Sequence, residues 1–376
     1  MYSFSMYPQV AKCQARIAQA LRPGALWLSQ AFAVVAASLA GNVAADALRP
    51  LEGAIDQRAH IQAALDALPA GRNFLAELKL EGRFVLHGPL LLDSWTRIDL
   101  RNARLELHST TPDSVIANRN GKEGGEIFIE ILGGTIVGNR KFRGMAGAGC
   151  IEFYRTSRVS IEGVTVNQCA MDGILLSGRG QRTYGAVLRD ITVQGNLRNG
   201  LMVMWAMRNV RVDSVVARHN GKHGVVSDHS ESEYNNIRAT RNGSDGIFIR
   251  NVFHNGYHNL FATNNGRHGI RVLGLVESSG RGWHAFNNGR RRELGTAADV
   301  FFTSEALSYG ITRDTRIEGL LAGDSNWAPA GSAAHALLVE PARDEAEDYQ
   351  NLGFRGAILK GSRSLPKSTG VEVVGS

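Results

Sequence analysis

CAMDGILL at 169–176, NLRNGLMV at 196–203, NGKHGVVS at 220–227, NGSDGIFI at 242–249 and NGRHGIRV at 265–272 are five copies of one pattern. The fifth residue of each is Gly173, Gly200, Gly224, Gly246 or Gly269, so the copies recur every 22 to 27 residues. An alternating stretch follows each glycine, with Ile174/Leu176, Leu201/Val203, Val225/Ser227, Ile247/Ile249 and Ile270/Val272 on one face, which is the period of a strand. Four residues before the glycines stand Cys169, Asn196, Asn220, Asn242 and Asn265. Short strands, turn glycines and an in-register asparagine column at this period predict a β-solenoid. Successive rungs lie about 4.8 Å apart, close enough for side-chain amides to bond up the stack. A leucine-rich repeat has a similar period, but its leucine framework and helix-length segment are absent here.

Weaker copies flank the five. Ile127-Phe128-Ile129, Gly133-Gly134-Thr135-Ile136 and Cys150-Ile151-Glu152-Phe153 lie upstream, and Asp299-Val300-Phe301-Phe302, His335-Ala336-Leu337-Leu338 and Gly370-Val371-Glu372-Val373 lie downstream. Helix periodicity occurs once, with Asp56 as N-cap, Ile61, Ala64, Leu65 and Leu68 on one face, and Pro69 and Gly71 as the stop. The expected fold is all-β, a right-handed parallel β-helix over 81–376. It follows a cap at 46–80 whose short helix covers the open end of the stack. The 43 glycines among 376 residues fit many tight turns, and 43% apolar residues exclude a disordered chain.

Residues 1–45 read as a signal peptide: Lys12, Arg16 and Arg22, an apolar run from Ala25 to Ala40, then small residues up to a cleavage site after Ala45. The expected location is therefore periplasmic or secreted, with no membrane span after cleavage. Export permits a disulfide between Cys150 and Cys169, but the two are out of register in the repeat and read rather as buried small hydrophobes. The net charge of +7 loses three units with the leader. No zinc-ligand spacing or aromatic RNA-binding signature accompanies it, so nucleic acid is not an expected partner; an anionic polymer of another kind fits the balance.

From Asp56 to Leu107, through GGTIVGNR at 133–140 and the glycine units, the chain resembles the right-handed parallel β-helix proteins of the pectate-lyase-like superfamily. The units at 165–275 are most similar to mannuronan C5-epimerases and related carbohydrate-binding and sugar-hydrolysis repeats. The resemblance implies an enzyme acting on an acidic polysaccharide.

Stacking aligns positions, so chemistry is sought column by column. Before the glycines stand Asp172, Asn199, His223, Asp245 and His268. Polygalacturonases carry catalytic Asp residues and a Gly-His-Gly before the same kind of strand, which makes Asp172, His223 and Asp245 alternative catalytic residues for hydrolysis. Glycoside hydrolysis needs carboxyl groups roughly 5 to 9.5 Å apart. Asp172 and Asp245 are three rungs apart, about 14 Å. On the outward side of the strands, Asp228 and Arg250 share a column on adjacent rungs, and Arg271 lies one rung further and two residues back. Mannuronan epimerases have Asp-Pro-His-Asp on such a strand; here Val226-Ser227-Asp228-His229 occupies comparable positions, without the Pro and with the His shifted by one.

Lyases and C5-epimerases remove the proton α to a uronate carboxylate, which requires that charge to be neutralised. The expected roles are therefore His229 for proton transfer, Arg250 and Arg271 for carboxylate neutralisation, and Asp228 for orientation. Lys222, Tyr234, His254 and Tyr257 are the expected substrate-binding residues. No cofactor is expected; calcium at Asp228, Glu231 and Glu233 is kept as an alternative, without a loop signature. β-Elimination or C5 epimerisation is the first expectation, with a polygalacturonase-like hydrolase and a non-catalytic glycan-binding or exopolysaccharide-assembly scaffold as alternatives.

Overall fold

The computed structural model describes residues 46–69, 74–141, 148–290, 297–303, 312–323, 335–340, 349–360, 363–364 and 371–374. The expected leader lies outside them, and no helix among them is long and apolar enough to cross a membrane. From residue 47 onward the chain forms one compact unit. Its 26 strands, among the described residues, pair in parallel, each with the equivalent strand one rung away.

Each rung contributes to three sheets. The first holds the strands after the turn glycines, among them Ile174–Ser177, the start of Leu201–Arg218, Val225–Ser230, Ile247–Phe253 and Ile270–Val276. The register is the one the pattern requires, with Ile174 opposite Leu201, Leu201 opposite Val225, Val225 opposite Ile247 and Ile247 opposite Ile270. The second and third sheets are formed by the two halves of Glu233–Thr240, Gly256–Thr263 and their equivalents. Alternate residues of all three sheets point inward and make one continuous apolar core from Ile61 to Ala357.

The asparagine column is a hydrogen-bonded ladder. The backbone N–H and the Nδ2 of Asn220 both donate to Asn242 Oδ1, at 3.1 and 2.9 Å, while Asn220 Oδ1 accepts the same pair of bonds from Asn196. Asn242 repeats this on Asn265, and Asn265 on Asn288. The ladder ends where Asn288 donates to the Asp299 carboxylate. These amides explain the glycines: a Cβ on Gly224 would stand 2.7 Å from Asn242 Nδ2 and 2.6 Å from Gly246 O.

At its other end the ladder begins at Cys169, whose N–H donates to Asn196 Oδ1. Contrary to the sequence expectation, Cys169 is disulfide-bonded to Cys150, with Cα atoms 5.4 Å apart. Their offset in register does not separate them, because Cys150 occupies the glycine position of its rung and Cys169 the asparagine position of the next turn. Gly138 leaves room for the bridge; a Cβ there would lie 2.6 Å from Cys150 Sγ.

The single described helix, α1 (Arg58–Asp66), buries Ile61 and Leu65 against the end of the core. Its N-cap is Gln57 rather than Asp56, although Asp56 Oδ1 still accepts the Arg58 N–H. The first strand, Ala76–Leu86, runs through the expected boundary at residue 80, and Leu48 bridges to Leu80 beside it.

Candidate functional site

The outward face of the first sheet carries two columns. One runs Glu152, Leu175, Met202, Val226, Phe248, Arg271 and Phe301; the other runs Tyr154, Ser177, Met204 and Asp228, continuing to Arg250 and Leu273. Val226, Phe248 and Leu273 cluster there with Met202, an apolar floor among charged groups.

Asp228 and Arg250 meet as the column predicts: Arg250 Nη2 donates to Asp228 Oδ2 at 2.6 Å. Asp228 is buried, and burial raises its pKa while Arg250 pulls it down. The backbone of His229 belongs to the same strand, but its side chain lies outside the described residues. Arg271 leans toward the turn side of the sheet. Its guanidinium lies over Phe248 at 4.7 Å and near Phe301 at 5.9 Å, and its charge acts on Asp245 and His268.

The column before the glycines is a second polar ladder, running the opposite way. Asn199 donates through N–H and Nδ2 to Asp172 Oδ1, His223 N–H to Asn199 Oδ1, His268 N–H to Asp245 Oδ1, and Ala298 N–H to His268 Nδ1. Between His223 and Asp245 the pattern changes to a side-chain contact, with His223 Nδ1 facing Asp245 Oδ2 at 3.2 Å. Asp245 is fully buried, yet its pKa is lowered: burial, the largest influence, would raise it, but His223, His268 and Arg271 together overcome it. His223 keeps 19% of its side chain exposed, so an ionised, buried carboxylate holds an imidazole that reaches solvent. Lys222 is exposed in the neighbouring column, between Arg198 and Ser244, with Arg267 one rung beyond Ser244.

Several expected residues are not brought together. Tyr234 and Tyr257 belong to the core, not to the substrate, because alternation in the second sheet turns them inward. They stack on one another at 5.2 Å, and Tyr257 Oη bonds Ser227 Oγ at 2.7 Å. His254 sits on the corner between the first and second sheets, with Nε2 2.6 Å from Glu277 Oε2, in an open groove of about 480 Å³ lined also by Glu233 and Asp314. The calcium set does not converge either. Asp228 faces Arg250, Glu231 turns the corner to Arg208, and Glu233 stands on the second sheet near His258. Among the described residues no three His, Cys, Asp or Glu side chains form a metal-binding group.

Two groups lie in the repeat without their partners being legible. Glu152 shares the Leu175 and Met202 column, and its pKa is raised by burial, then by Asp172 on the next rung. Asp172 is likewise raised by burial. Glu152 was visible only within a weaker copy, because Cys150 replaces the glycine that marks other rungs. His268 was visible in its column but not as a partner of Asp245.

A family model described as a right-handed beta helix region matches residues 125–282. The chain is a right-handed parallel β-helix. The A-module of an Azotobacter vinelandii mannuronan C-5 epimerase is similar in structure, with a TM-score of 0.61 at 17% identity over 88% of this chain and 98% of that one. An N-terminal fragment of gene product 12 of bacteriophage Phi29 gives 0.63 at 14% over 86% and 58%. The catalytic domain of a GH87 α-1,3-glucanase, solved with nigerose, gives 0.56 at 11% over 89% and 69%. No curated protein matches the sequence. At these identities the likeness concerns the fold; the chemistry has to come from the side chains.

Proposed function

We propose that this protein is an exported enzyme that acts on an acidic, uronate-containing polysaccharide by β-elimination or C5 epimerisation, on the outward face of its first sheet. The observation that carries the reading is the His223–Asp245 pair with Arg271 beside it. His223 takes the proton from C5 of a uronate, and Arg271 and Lys222 neutralise the carboxylate on which negative charge then accumulates. From that intermediate either the C4–O bond breaks, its electron pair leaving with O4, which takes up the proton held by His223, and a C4–C5 double bond remains; or water delivers a proton to the opposite face of C5 and His223 returns its own proton to solvent. The buried Asp245 orients the imidazole and balances its charge, while Asp228 and Arg250 form the polar wall further along the strands. The polysaccharide-related names among the structural neighbours and the Cys150–Cys169 bridge, which suits an oxidising compartment, support the reading.

The test is a panel of polymannuronate, polygalacturonate and bacterial exopolysaccharides. An eliminase gives the ultraviolet absorbance of an unsaturated uronate; an epimerase places solvent deuterium at C5 without cleavage. His223→Ala is expected to lower turnover by about 10²–10⁴-fold. Loss of activity in His229→Ala with retention in His223→Ala moves the proton transfer to the far end of the strand.

A hydrolytic reading has one observation in its favour, the neighbouring Glu152 and Asp172 with their raised pKa values. New reducing ends carrying neither unsaturation nor deuterium, abolished by Glu152→Gln, select it.

A further inference from the structure

Each rung passes from the first sheet to the second through a residue in the left-handed region: Trp95 (φ 65°), Phe128 (58°), Arg158 (57°), Gly185 (72°) and Asn209 (53°) on successive rungs, then Glu231, His254, Glu277 and Asp314. The corner between the second and third sheets has the same geometry and fills it with small or short polar residues, Asp190, Ser214, Asn236, Asn259 and Gly282. Left-handed backbone disfavours bulky side chains, so aromatic residues on only one of two equivalent corners call for a reason.

Trp95 stacks on Phe128 at 4.0 Å, and Arg158 covers the far side of Phe128 at 4.5 Å, so that stack is closed on itself. Its continuation is open. At Gly185 the column has no side chain, and Tyr184 beside it is 44% exposed. One rung further the register slips between Met204 and Arg208, with Trp205 and Ala206 both left-handed (φ 50° and 57°). This bulge turns Trp205 outward, where half of it is exposed. The 178–182 loop lies against it, since a Cβ on Gly178 would stand 2.2 Å from Trp205 O. That loop carries Arg179 and Arg182, both exposed, and no carboxylate among the described residues pairs with either.

We infer that Tyr184 and Trp205, with Arg179 and Arg182, form a second glycan-binding surface, a stacking platform for an acidic polysaccharide. The two rings offer flat apolar faces to pyranose rings, and the two guanidinium groups match uronate carboxylates. Charge complementarity selects this occupant over a neutral glycan. Trp205 directly follows Met204 in the column of Asp228, so the platform continues the candidate face around its edge and holds a long chain beyond the residue that reacts. The inference rests on the acidic-polysaccharide reading for its ligand but not on any turnover.

The experiment is affinity electrophoresis and titration calorimetry of the full chain with polygalacturonate, polymannuronate, polyguluronate and hyaluronan, with dextran as the neutral control. The Tyr184→Ala/Trp205→Ala double variant is expected to bind whichever polymer the wild type holds about tenfold more weakly. Arg179→Gln/Arg182→Gln should weaken it comparably and flatten its salt dependence, with unchanged thermal unfolding in both. Wild-type affinity in the aromatic double variant overturns the platform. So do wild-type protein that binds none of the four polymers, equal binding to dextran, and a loss that tracks dissociation of a dimer. If the wild type binds and the variant does not, while neither produces any product, the proposed activity fails and the platform stands.

Discussion

At the scale of the residue, His268 shows how burial sets a charge state. It is fully buried, stacked on Phe301 at 4.3 Å, and its Nδ1 accepts the Ala298 N–H, so the neutral ring carries its proton on Nε2. Desolvation, helped by Arg267 and Arg271 against Asp245, lowers its pKa from 6.5 to about 4. The unfolded chain therefore takes up this proton first as acid is added. The stability His268 contributes is complete above pH 6.5 and declines as pH falls toward 4, by about 3 kcal/mol over that window. Urea unfolding across pH 4–7 should show the decline. His268→Phe, which keeps the ring stack, should lower stability at pH 7 through the lost Ala298 acceptor and remove most of the slope between 6.5 and 4. An unchanged slope in that variant assigns the acid sensitivity to another group.

At the scale of the element, what the sequence reveals depends on how regular the rung is. The turn glycines, the asparagine column and the alternation of the first-sheet strands are legible because each rung repeats one backbone path. Asn288 is not, because eleven residues rather than four separate it from Asp299, the group its amide must reach. Glu152 is legible only as part of a weaker copy, because a cysteine holds its rung's glycine position. Tyr234 and Tyr257 look available on a polar strand, and only register shows that they alternate inward. The meeting of Asp228 with Arg250 follows from spacing, whereas the leaning of Arg271 toward Asp245 depends on the Phe248 and Phe301 rings beneath it, which no spacing encodes. The disulfide belongs to the same class: it joins two different column positions across a separation of 19 residues. A loop of this size is worth about 3 kcal/mol, chiefly through the unfolded chain. Cys150→Ala/Cys169→Ala should lower the unfolding free energy by roughly that amount. Gly138→Ala should destabilise the oxidised protein, because its Cβ meets Cys150 Sγ. If the double cysteine variant is as stable as the wild type, the Asn196–Asp299 ladder alone secures this end of the repeat.

At the scale of the whole molecule, a solenoid is held by contacts between neighbouring rungs, so its stability propagates along the stack and its ends are the vulnerable places. A parallel β-helix end presents apolar core and unpaired strand edges to any other copy, and such an edge is a template for association unless something covers it. Here α1 does so at the first rung. Ile61 and Leu65 pack into the same core as Phe84, Leu86, Leu90 and Leu92, and the helix is tied down by Arg58 Nε to Pro89 O and by Gln62 Nε2 to Leu91 O. The helix is only nine residues long and its N-cap side chain makes no capping bond, so it owes its existence to this packing. Ile61→Glu, which places a charge where no partner is available, should therefore undock the helix without unfolding the rungs behind it. The expected result is a far-ultraviolet spectrum still dominated by strand, together with association that increases with protein concentration in light scattering, and suppression of that association when Ile61→Val is substituted instead. A monomeric Ile61→Glu protein with intact strands would mean that the exposed first rung is protected by its own edge rather than by the helix. Global unfolding would instead make the helix part of the cooperative core, and the two outcomes separate in a single denaturation series read by both probes.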